Sequence, residues 1–367
     1  MKRAFINQME PWIGKEEQQA MATYLKSGGW LTEFQQTQRF EQMIAEYVGA
    51  KHACVVSNGT VSLFIALMSL GIGKGDEVIV PDLTMIASAN TVLLSGAIPR
   101  LVDIDPTTMC LDVALAEKAI NKKTKAIMLV NFNGRSPNMG SIVKLCKKYK
   151  LYLIEDAAQA LGSFWNKKHM GTFGDIGSFS FSTPKIITTG QGGALITNND
   201  TLMKKIRKIK DFGRVKSGVD LHETLGFNFK FTDIQAVIGI EQMKKLQARV
   251  KRKKEIFSSY EKELSKIKKI RFLKTDLSHI TPWFIDVLVE NREELIDYLK
   301  LHGIGSRPFY PPVHTQAPYK EMKLYKKMNF PVSQQLSLSG LWLPSSLFLS
   351  NQQIGYITSI IKKFYKT

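Results

Sequence analysis

The 367-residue sequence contains little cysteine and no long apolar run. Its three cysteines, Cys54, Cys110 and Cys146, lie far apart, so they form no metal-binding pair and predict no disulfide framework. A sparse, odd set suits a reducing compartment, and we expect a cytoplasmic protein. No stretch of about eighteen apolar residues is present, which predicts no membrane span. Residues 1–8 also lack the apolar core of a signal peptide.

Acidic residues are scarce relative to basic ones. The chain has 51 Lys and Arg against 32 Asp and Glu, which gives a net charge of +19. Such a chain can bind nucleic acid or an anionic small substrate. The lysines cluster in groups typical of solvent-facing helix surfaces, such as residues 204–210 and 251–254. Because zinc-finger, RNA-recognition and helix-turn-helix signatures are missing, we expect no nucleic-acid partner.

Short β-rich runs alternate with helical patterns between residues 52 and 200. This alternation predicts an α/β fold with a mostly parallel sheet that helices cover on both faces. A long charged helix is predicted over residues 233–264, and a smaller α+β unit follows it. We therefore expect a large domain over residues 1–240, including a helical N-terminal segment. A linker helix and a small C-terminal domain would occupy residues 241–367.

Lys185 lies in a segment of small and hydroxyl-bearing residues that ends in a glycine-rich stretch. Upstream, an apolar run over residues 151–154 ends directly in Glu155 and Asp156. Pyridoxal phosphate chemistry needs a lysine that forms a Schiff base and an acid that keeps the pyridine nitrogen protonated. The pair predicts this cofactor, with Lys185 and Asp156 as catalytic residues. The strand is too short to exclude Glu155 as the acid.

Three further features suit the same cofactor. Residues 57–60 follow a strand and open a helix, where free backbone N–H groups favour a phosphate, although a plain capped helix start is the alternative. Gln159 lies three residues after Asp156 and could donate to the pyridine 3-oxygen, if it is not simply a surface glutamine. Ser180 lies five residues before Lys185 and could reach the phosphate, if it is not an ordinary strand serine.

The chain resembles the DegT/DnrJ/EryC1/StrS sugar aminotransferases, which have the aspartate aminotransferase (fold type I) architecture with a seven-stranded sheet. The combination of matching segments is specific to that family, and they span most of the chain: residues 57–60, 75–81, 155–159, 174–181, 185–190, 226–230, 307–308 and 313–314. The resemblance implies a pyridoxal phosphate enzyme that stores the amine of glutamate as pyridoxamine phosphate and transfers it to a keto or aldehyde sugar.

The resemblance also implies a role for individual residues. Lys185 would carry the cofactor, Asp156 would pair with its pyridinium nitrogen, and Gln159 would lie near its 3-oxygen. The phosphate ligands would be Gly59, Thr60, Ser180 and, from the neighbouring subunit, Asn228. A ligand from the neighbouring subunit implies an obligate homodimer with composite sites. No metal is expected.

Two segments depart from the family pattern. Where many members have an aromatic residue, this chain has Met85, which would then cover the cofactor ring. Asn133 and Gly134, followed by Arg135, replace the usual His-x-Tyr-Gly segment. Both departures resemble the branch that aminates C8 of an octulosonate, an acid sugar without a nucleotide. Arg135 would then bind the substrate carboxylate, although a surface salt bridge is the alternative role.

We therefore expect an aminotransferase that acts on an 8-oxo-3,8-dideoxy-octulosonate-like sugar for lipopolysaccharide or another surface polysaccharide. The alternative substrate is a nucleotide-linked 4-keto-6-deoxy sugar, as in enzymes of the GDP-perosamine synthase type, which residues 303–308 also fit. His314 is a further candidate on the substrate side, although a lone histidine is more often structural. A dehydratase of this fold would have histidine in place of Lys185, and a non-catalytic regulator would have a degenerate site. The intact set of site residues argues against both.

Overall fold

The computed structural model describes residues 4–216, 218–322, 324–326 and 328–366. The helices are α1 Lys15–Lys26, α2 Gln35–Val48, α3 Gly59–Ser69, α4 Ala87–Leu94, α5 Val113–Ala119, α6 Met139–Tyr149, α7 Asp200–Lys210, α8 Asp233–Lys244, α9 Leu246–Leu264, α10 Arg292–Leu301, α11 Ala317–Glu321, α12 Pro331–Ser339 and α13 Asn351–Phe364. The strands are β1 His52–Val56, β2 Glu77–Pro81, β3 Ile98–Val102, β4 Thr124–Val130, β5 Tyr152–Asp156, β6 Phe164–Trp165, β7 Lys168–His169, β8 Ile176–Ser180, β9 Gly193–Thr197, β10 Ile270–Phe272, β11 Ile285–Val289, β12 Arg307–Pro308 and β13 Gly340–Leu343.

The central sheet has seven strands in the order β1-β9-β8-β5-β4-β2-β3. Strands β3, β2, β4, β5 and β8 pair in parallel, and β9 runs antiparallel to both of its neighbours. Every residue of β2 and of β9 is buried, as expected for a sheet that is covered on both faces. The predicted α/β fold with a mostly parallel seven-stranded sheet is confirmed.

Apolar clusters cover both faces of this sheet. One cluster includes Phe40 of α2, which packs against Phe181 and Phe231. The other includes Leu63 of α3 and Ile206 of α7. The helices leave the carboxyl ends of β2, β4, β5 and β8 at one edge of the sheet, which is where ligands bind in parallel α/β folds.

A second, antiparallel sheet has the order β10-β11-β13-β12. Helices α9, α10 and α13 cover it through residues such as Phe257, Leu295 and Ile357. A mixed aromatic cluster that includes Phe132, Trp283 and Trp342 lies between this sheet and the loop after β4. The smaller α+β unit is therefore present, and the boundary near residue 240 stays a prediction.

The helix predicted over residues 233–264 is divided in two. Helix α8 ends at Lys244, and α9 begins at Leu246; Lys245 between them has a φ of −97° and a ψ of −2°. The amine of Lys245 lies 2.6 Å from the carboxylate of Glu17 in α1. Helix α8 packs against α1 and α2, whereas α9 packs against α13. The two helices therefore have different packing partners.

The N-terminal segment differs from its expected place in the large domain. The backbone N–H of Ile6 donates to the carbonyl of Gly303 at 2.8 Å, and Gly305 donates to the carbonyl of Ile6 at 2.7 Å. Ile6 is also buried in the apolar core of the second unit. The first described residues thus pack against the C-terminal unit. Within the described part of the chain, no helix has both the length and the apolarity to cross a bilayer.

Candidate active site

The two acids at the end of β5 have different surroundings. The Glu155 carboxylate is fully buried and accepts hydrogen bonds from the backbone N–H groups of Gly171, Phe173 and Gly174 at 2.6–2.8 Å. These bonds hold the Glu155 carboxylate against the loop before β8. Neighbouring residues of a strand point to opposite faces, so Asp156 is the acid that can face a ligand.

Asp156 is 7% exposed and is held by neutral donors. Ser88 at the start of α4 donates its hydroxyl to one carboxylate oxygen at 2.7 Å, and the N–H of Ala158 reaches the other at 3.2 Å. Burial raises the pKa of Asp156, while Ser88 and the charge of Lys185 oppose that shift. A buried carboxylate of this kind is stabilised by a cationic N–H partner such as a protonated pyridine.

Lys185 lies in the turn after β8, where its backbone N–H donates to the carbonyl of Ser182 at 3.0 Å. Its amine is 4.1 Å from the ring centroid of Trp283. Burial lowers the pKa of Lys185 to about 8; the charge of Asp156 raises it, and that of Arg307 lowers it further. An amine with this pKa is populated in both protonation states near neutral pH, as a nucleophile and proton carrier requires.

Three of the four predicted phosphate-binding residues, Gly59, Thr60 and Ser180, lie at or beside the start of α3. The side chain of Asn58 caps this helix by accepting from the N–H of Val61 at 2.9 Å. The capped start and the phosphate site are compatible, because Gly59 and Thr60 keep the first free N–H groups of the helix. A Cβ on Gly59 would lie 2.8 Å from the Cβ of Ser180 and 3.2 Å from its hydroxyl oxygen. The helix start and this hydroxyl therefore form one small cradle suited to a phosphate.

Gln159 is 7% exposed and has a fixed orientation. Its side-chain oxygen accepts from the backbone N–H of Asn133 at 2.7 Å, which directs the amide N–H₂ group away from Asn133. Gln159, Ser180, Lys185 and Trp283 line the same small cavity. The amide is therefore a donor next to the catalytic lysine, and Asn133, which replaces part of the usual family segment, holds it there.

The structure does not fit the substrate role predicted for Arg135. Its guanidinium is 2% exposed and bonds both carboxylate oxygens of Asp286, at 2.5 and 2.9 Å. The same group donates to the hydroxyl of Thr275 at 2.6 Å. Asp286 is fully buried in β11. The surface salt bridge is wrong, because this fork-shaped pair is buried and joins the loop after β4 to the second sheet.

His314 and Met85 flank the loop after β2. The ring Nδ1 of His314 lies 2.7 Å from a carboxylate oxygen of Asp82, and its Nε2 lies 3.1 Å from the amide nitrogen of Gln334. With both ring nitrogens engaged, His314 fixes the end of β2. Met85 is 44% exposed, and its sulfur accepts from the N–H of Ala87 at 3.1 Å. Met85 thus contacts the first residue of α4, the helix that positions Ser88.

Asn228 lies on a different surface from the lysine. Its exposed side chain lines a cavity of about 920 Å³, whose lining includes neither Lys185 nor Ser180. Half of the residues that line the cavity are basic: Lys204, Arg207, Lys208, Lys210, Arg214, Lys216 and Lys230. Several of these cations are paired with acids, for example Lys210 with Glu33 at 2.7 Å. Asn228 is therefore available to a second molecule.

Sequence reasoning missed several residues of the site. One of them is Ser88, the second residue of α4, whose hydroxyl also lies 3.0 Å from that of Thr84. Trp283 and Arg307 approach Lys185 from the C-terminal unit. No local pattern indicates their proximity, because only the packing of the two units creates it.

Comparisons with known proteins agree with this geometry. The model of the DegT/DnrJ/EryC1/StrS aminotransferase family matches residues 11–362. The GDP-perosamine synthase of Escherichia coli O157:H7 is 41% identical over 331 residues, which cover 89% of this chain and 90% of that protein. The GDP-perosamine synthase of Vibrio cholerae is 35% identical over 361 residues, which cover 97% and 98%.

A solved structure shares the whole architecture. Helicobacter pylori PseC, an aminotransferase involved in the biosynthesis of pseudoaminic acid, superposes with a TM-score of 0.92 at 26% identity. The superposition covers 99% of this chain and 100% of PseC. This chain therefore belongs to the DegT/DnrJ/EryC1/StrS family and is a pyridoxal phosphate-dependent sugar aminotransferase with the aspartate aminotransferase fold.

Proposed function

We propose that this enzyme aminates a nucleotide-linked 4-keto-6-deoxy sugar, with glutamate as the amino donor. One observation carries the choice: Arg135, which would bind the carboxylate of an acid sugar, is buried against Asp286. The identities of 41% and 35% to two GDP-perosamine synthases support the same substrate class. Both findings favour it over the octulosonate.

The residues around Lys185 fit pyridoxal phosphate. The cradle of Gly59 and Ser180 suits its phosphate, the free amide of Gln159 suits its 3-oxygen, and buried Asp156 suits its protonated ring nitrogen. When bound, the cofactor supplies an electron sink for the carbanion formed at the reacting carbon. Asp156 keeps the proton on the ring nitrogen, which maintains that sink. Its low exposure excludes water that would otherwise weaken the charge pair.

Lys185 moves the proton in both half-reactions. With the cofactor bound, its neutral amine would accept the proton from the α-carbon of glutamate, and the resulting ammonium would return that proton in the next step. The direction reverses when the sugar carbon is aminated. Both directions need an amine whose pKa lies near the working pH, and the pKa of Lys185 is lowered to about 8 by burial.

Arg307 is the residue we propose for the donor carboxylate. Its side chain is exposed on β12, and its guanidinium lies over the rings of Tyr310 and Trp342 at 5.5 Å. Its charge contributes to the lowered pKa of Lys185, so the guanidinium lies within electrostatic range of the reacting amine. A planar guanidinium binds a carboxylate with two parallel hydrogen bonds.

We also propose a homodimer in which Asn228 serves the partner's phosphate site. Apolar side chains are exposed on the loop that leads to Asn228: Phe212, Val215, Val219, Leu221, Leu225 and Phe227. Burial of such a patch favours association. Mixed Lys185→Ala and Asn228→Ala protomers should recover part of the activity, because one site of the mixed dimer keeps both residues. No recovery after verified subunit exchange would contradict the composite site.

The identity of the acceptor sugar is tested by comparing turnover of the candidate sugars in separate reactions. The purified holoenzyme receives glutamate with a GDP- or dTDP-linked 4-keto-6-deoxy sugar, or with the 8-oxo octulosonate, and mass spectrometry identifies the amino sugar. Efficient turnover of a nucleotide sugar is expected. The Lys185→Ala variant is the control for non-enzymatic amination. Turnover of the octulosonate alone would refute the proposal and restore the acid-sugar hypothesis.

A further inference from the structure

Trp283 makes two contacts with the segment that carries Lys185. It is 4% exposed, and its ring centroid is 4.1 Å from the lysine amine. Its indole N–H donates to the carbonyl of Pro184, the residue before the lysine, at 2.7 Å. Trp283 precedes β11 of the second sheet, whereas Lys185 follows β8 of the first. One side chain of the small unit thus holds both the backbone and the amine of the lysine turn.

The position of the indole is fixed by a stacked ring and by hydrogen bonds of the neighbouring residues. Its ring stacks on Phe284 with centroids 3.8 Å apart and an angle of 21° between the planes. The backbone of Phe284 exchanges two hydrogen bonds with the side chain of Asn133, at 2.7 and 2.9 Å. Two residues before the indole, the hydroxyl of Thr281 donates to the carbonyl of Gly162 at 2.6 Å. These bonds anchor the segment to the large unit, so the ring is a fixed surface.

We propose that Trp283 is a positioning residue for Lys185: the indole N–H fixes the turn that presents the lysine, and the ring face stabilises the protonated amine. This inference rests on the proposed catalytic role of Lys185. No substrate contact is assigned to the indole. It acts by setting where the amine lies and how readily that amine keeps its proton.

Burial and three neighbouring groups, Asp156, Arg307 and Trp283, set the protonation of Lys185. Burial lowers its pKa to about 8, the Asp156 carboxylate raises it, and the Arg307 guanidinium lowers it. The face of an indole carries negative charge density and attracts an ammonium group, so Trp283 acts in the same direction as Asp156. Loss of the ring should lower the pKa of Lys185 by about half a unit to one and a half units. Less ammonium would then be available to return the proton near neutral pH.

The readout is the titration of Lys185 in the cofactor-free protein. Competitive labelling with acetic anhydride across a pH series, followed by mass spectrometry of the Lys185 peptide, reports the pKa of this one amine. Trp283→Leu removes both the ring face and the N–H, and the pKa should fall by about half a unit to one and a half units. Trp283→Phe keeps a ring face and should retain most of the wild-type value.

A series of fluorinated tryptophans separates the electrostatic effect of the ring face from the effect of its packing. Tryptophans with increasing numbers of ring fluorines, inserted at position 283 by amber suppression, keep the shape and the N–H but lose negative charge density on the face. The pKa of Lys185 should fall stepwise along this series. The series decides the question even if Trp283→Leu does not fold.

Trp342→Phe is the matched control. This ring packs against Trp283 with centroids 5.8 Å apart, but its own face is turned to Arg307. The pKa of Lys185 should stay at the wild-type value in this variant. An unchanged pKa along the fluorinated series, or an equal fall in Trp342→Phe, would overturn the proposal. Because the labelling uses no sugar, a wrong acceptor would leave this result intact.

Discussion

The buried pair of Arg135 and Asp286 gives a quantitative prediction. Asp286→Asn would leave a guanidinium that is 2% exposed facing a neutral amide. Removal of one partner from a buried ion pair costs about 3–5 kcal/mol, because the remaining charge stays desolvated. Asparagine can still accept one hydrogen bond, so we expect the lower end, about 3 kcal/mol. Urea unfolding followed by circular dichroism measures the loss as a lower midpoint with an unchanged slope.

The double variant Arg135→Met with Asp286→Leu is the control. It removes both charges and fills the space with apolar groups, so its free energy of unfolding should recover most of the loss. If Arg135 instead bound a substrate carboxylate, Asp286→Asn would change the free energy of unfolding by no more than about 1 kcal/mol. Arg135→Lys would then raise KM for the sugar in an equally stable protein. That combination would refute the structural role of the pair.

Three further predictions, each made with its own variants, test separate parts of the site and core. Gly193→Ala should weaken cofactor binding about tenfold or more in a fluorescence titration with the cofactor. The reason is that its Cβ would lie 2.5 Å from the backbone of the phosphate-binding turn. Gly355→Ala is the control, because it has open space around it and should leave cofactor binding unchanged. Glu155→Gln should lower the free energy of unfolding by about 2 kcal/mol through lost charge-assisted bonds, whereas Asp156→Asn should abolish turnover in a folded protein. Burial lowers the pKa of Lys253 to about 7 from 10.5, so the unfolded chain binds more protons between those values. Stability should therefore rise with pH from about 7 to 10.5, and Lys253→Met should flatten that rise in pH-dependent unfolding.

Much of the large unit could be predicted because its signals are local. The alternation of β-rich runs and helical patterns between residues 52 and 200 indicated the central sheet, and the helical N-terminal segment is present as α1 and α2. The acid–lysine combination was also predictable, since each motif occupies one short segment. Strand ends in a parallel sheet share one edge, which brings such segments together.

The remaining features depend on contacts between distant segments. Arg135 and Asp286 are separated by 151 positions, and nothing in either segment identifies the other as its partner. The choice between Glu155 and Asp156 needed the hydrogen bonds of the loop before β8, because a short strand has no period to read. The break at Lys245 lacks a glycine or proline signal, and it follows from the different packing partners of the two helices.

Borohydride reduction of the holoprotein tests most directly whether Lys185 carries the cofactor. Reduction makes the link between lysine and cofactor permanent, and proteolysis with mass spectrometry then locates the phosphopyridoxyl group. We predict the label on the peptide that contains Lys185, and its loss in Lys185→Ala even though that variant stays folded. A label on any other lysine, or a holoprotein whose bound cofactor is not captured at all, would contradict the assignment of the site.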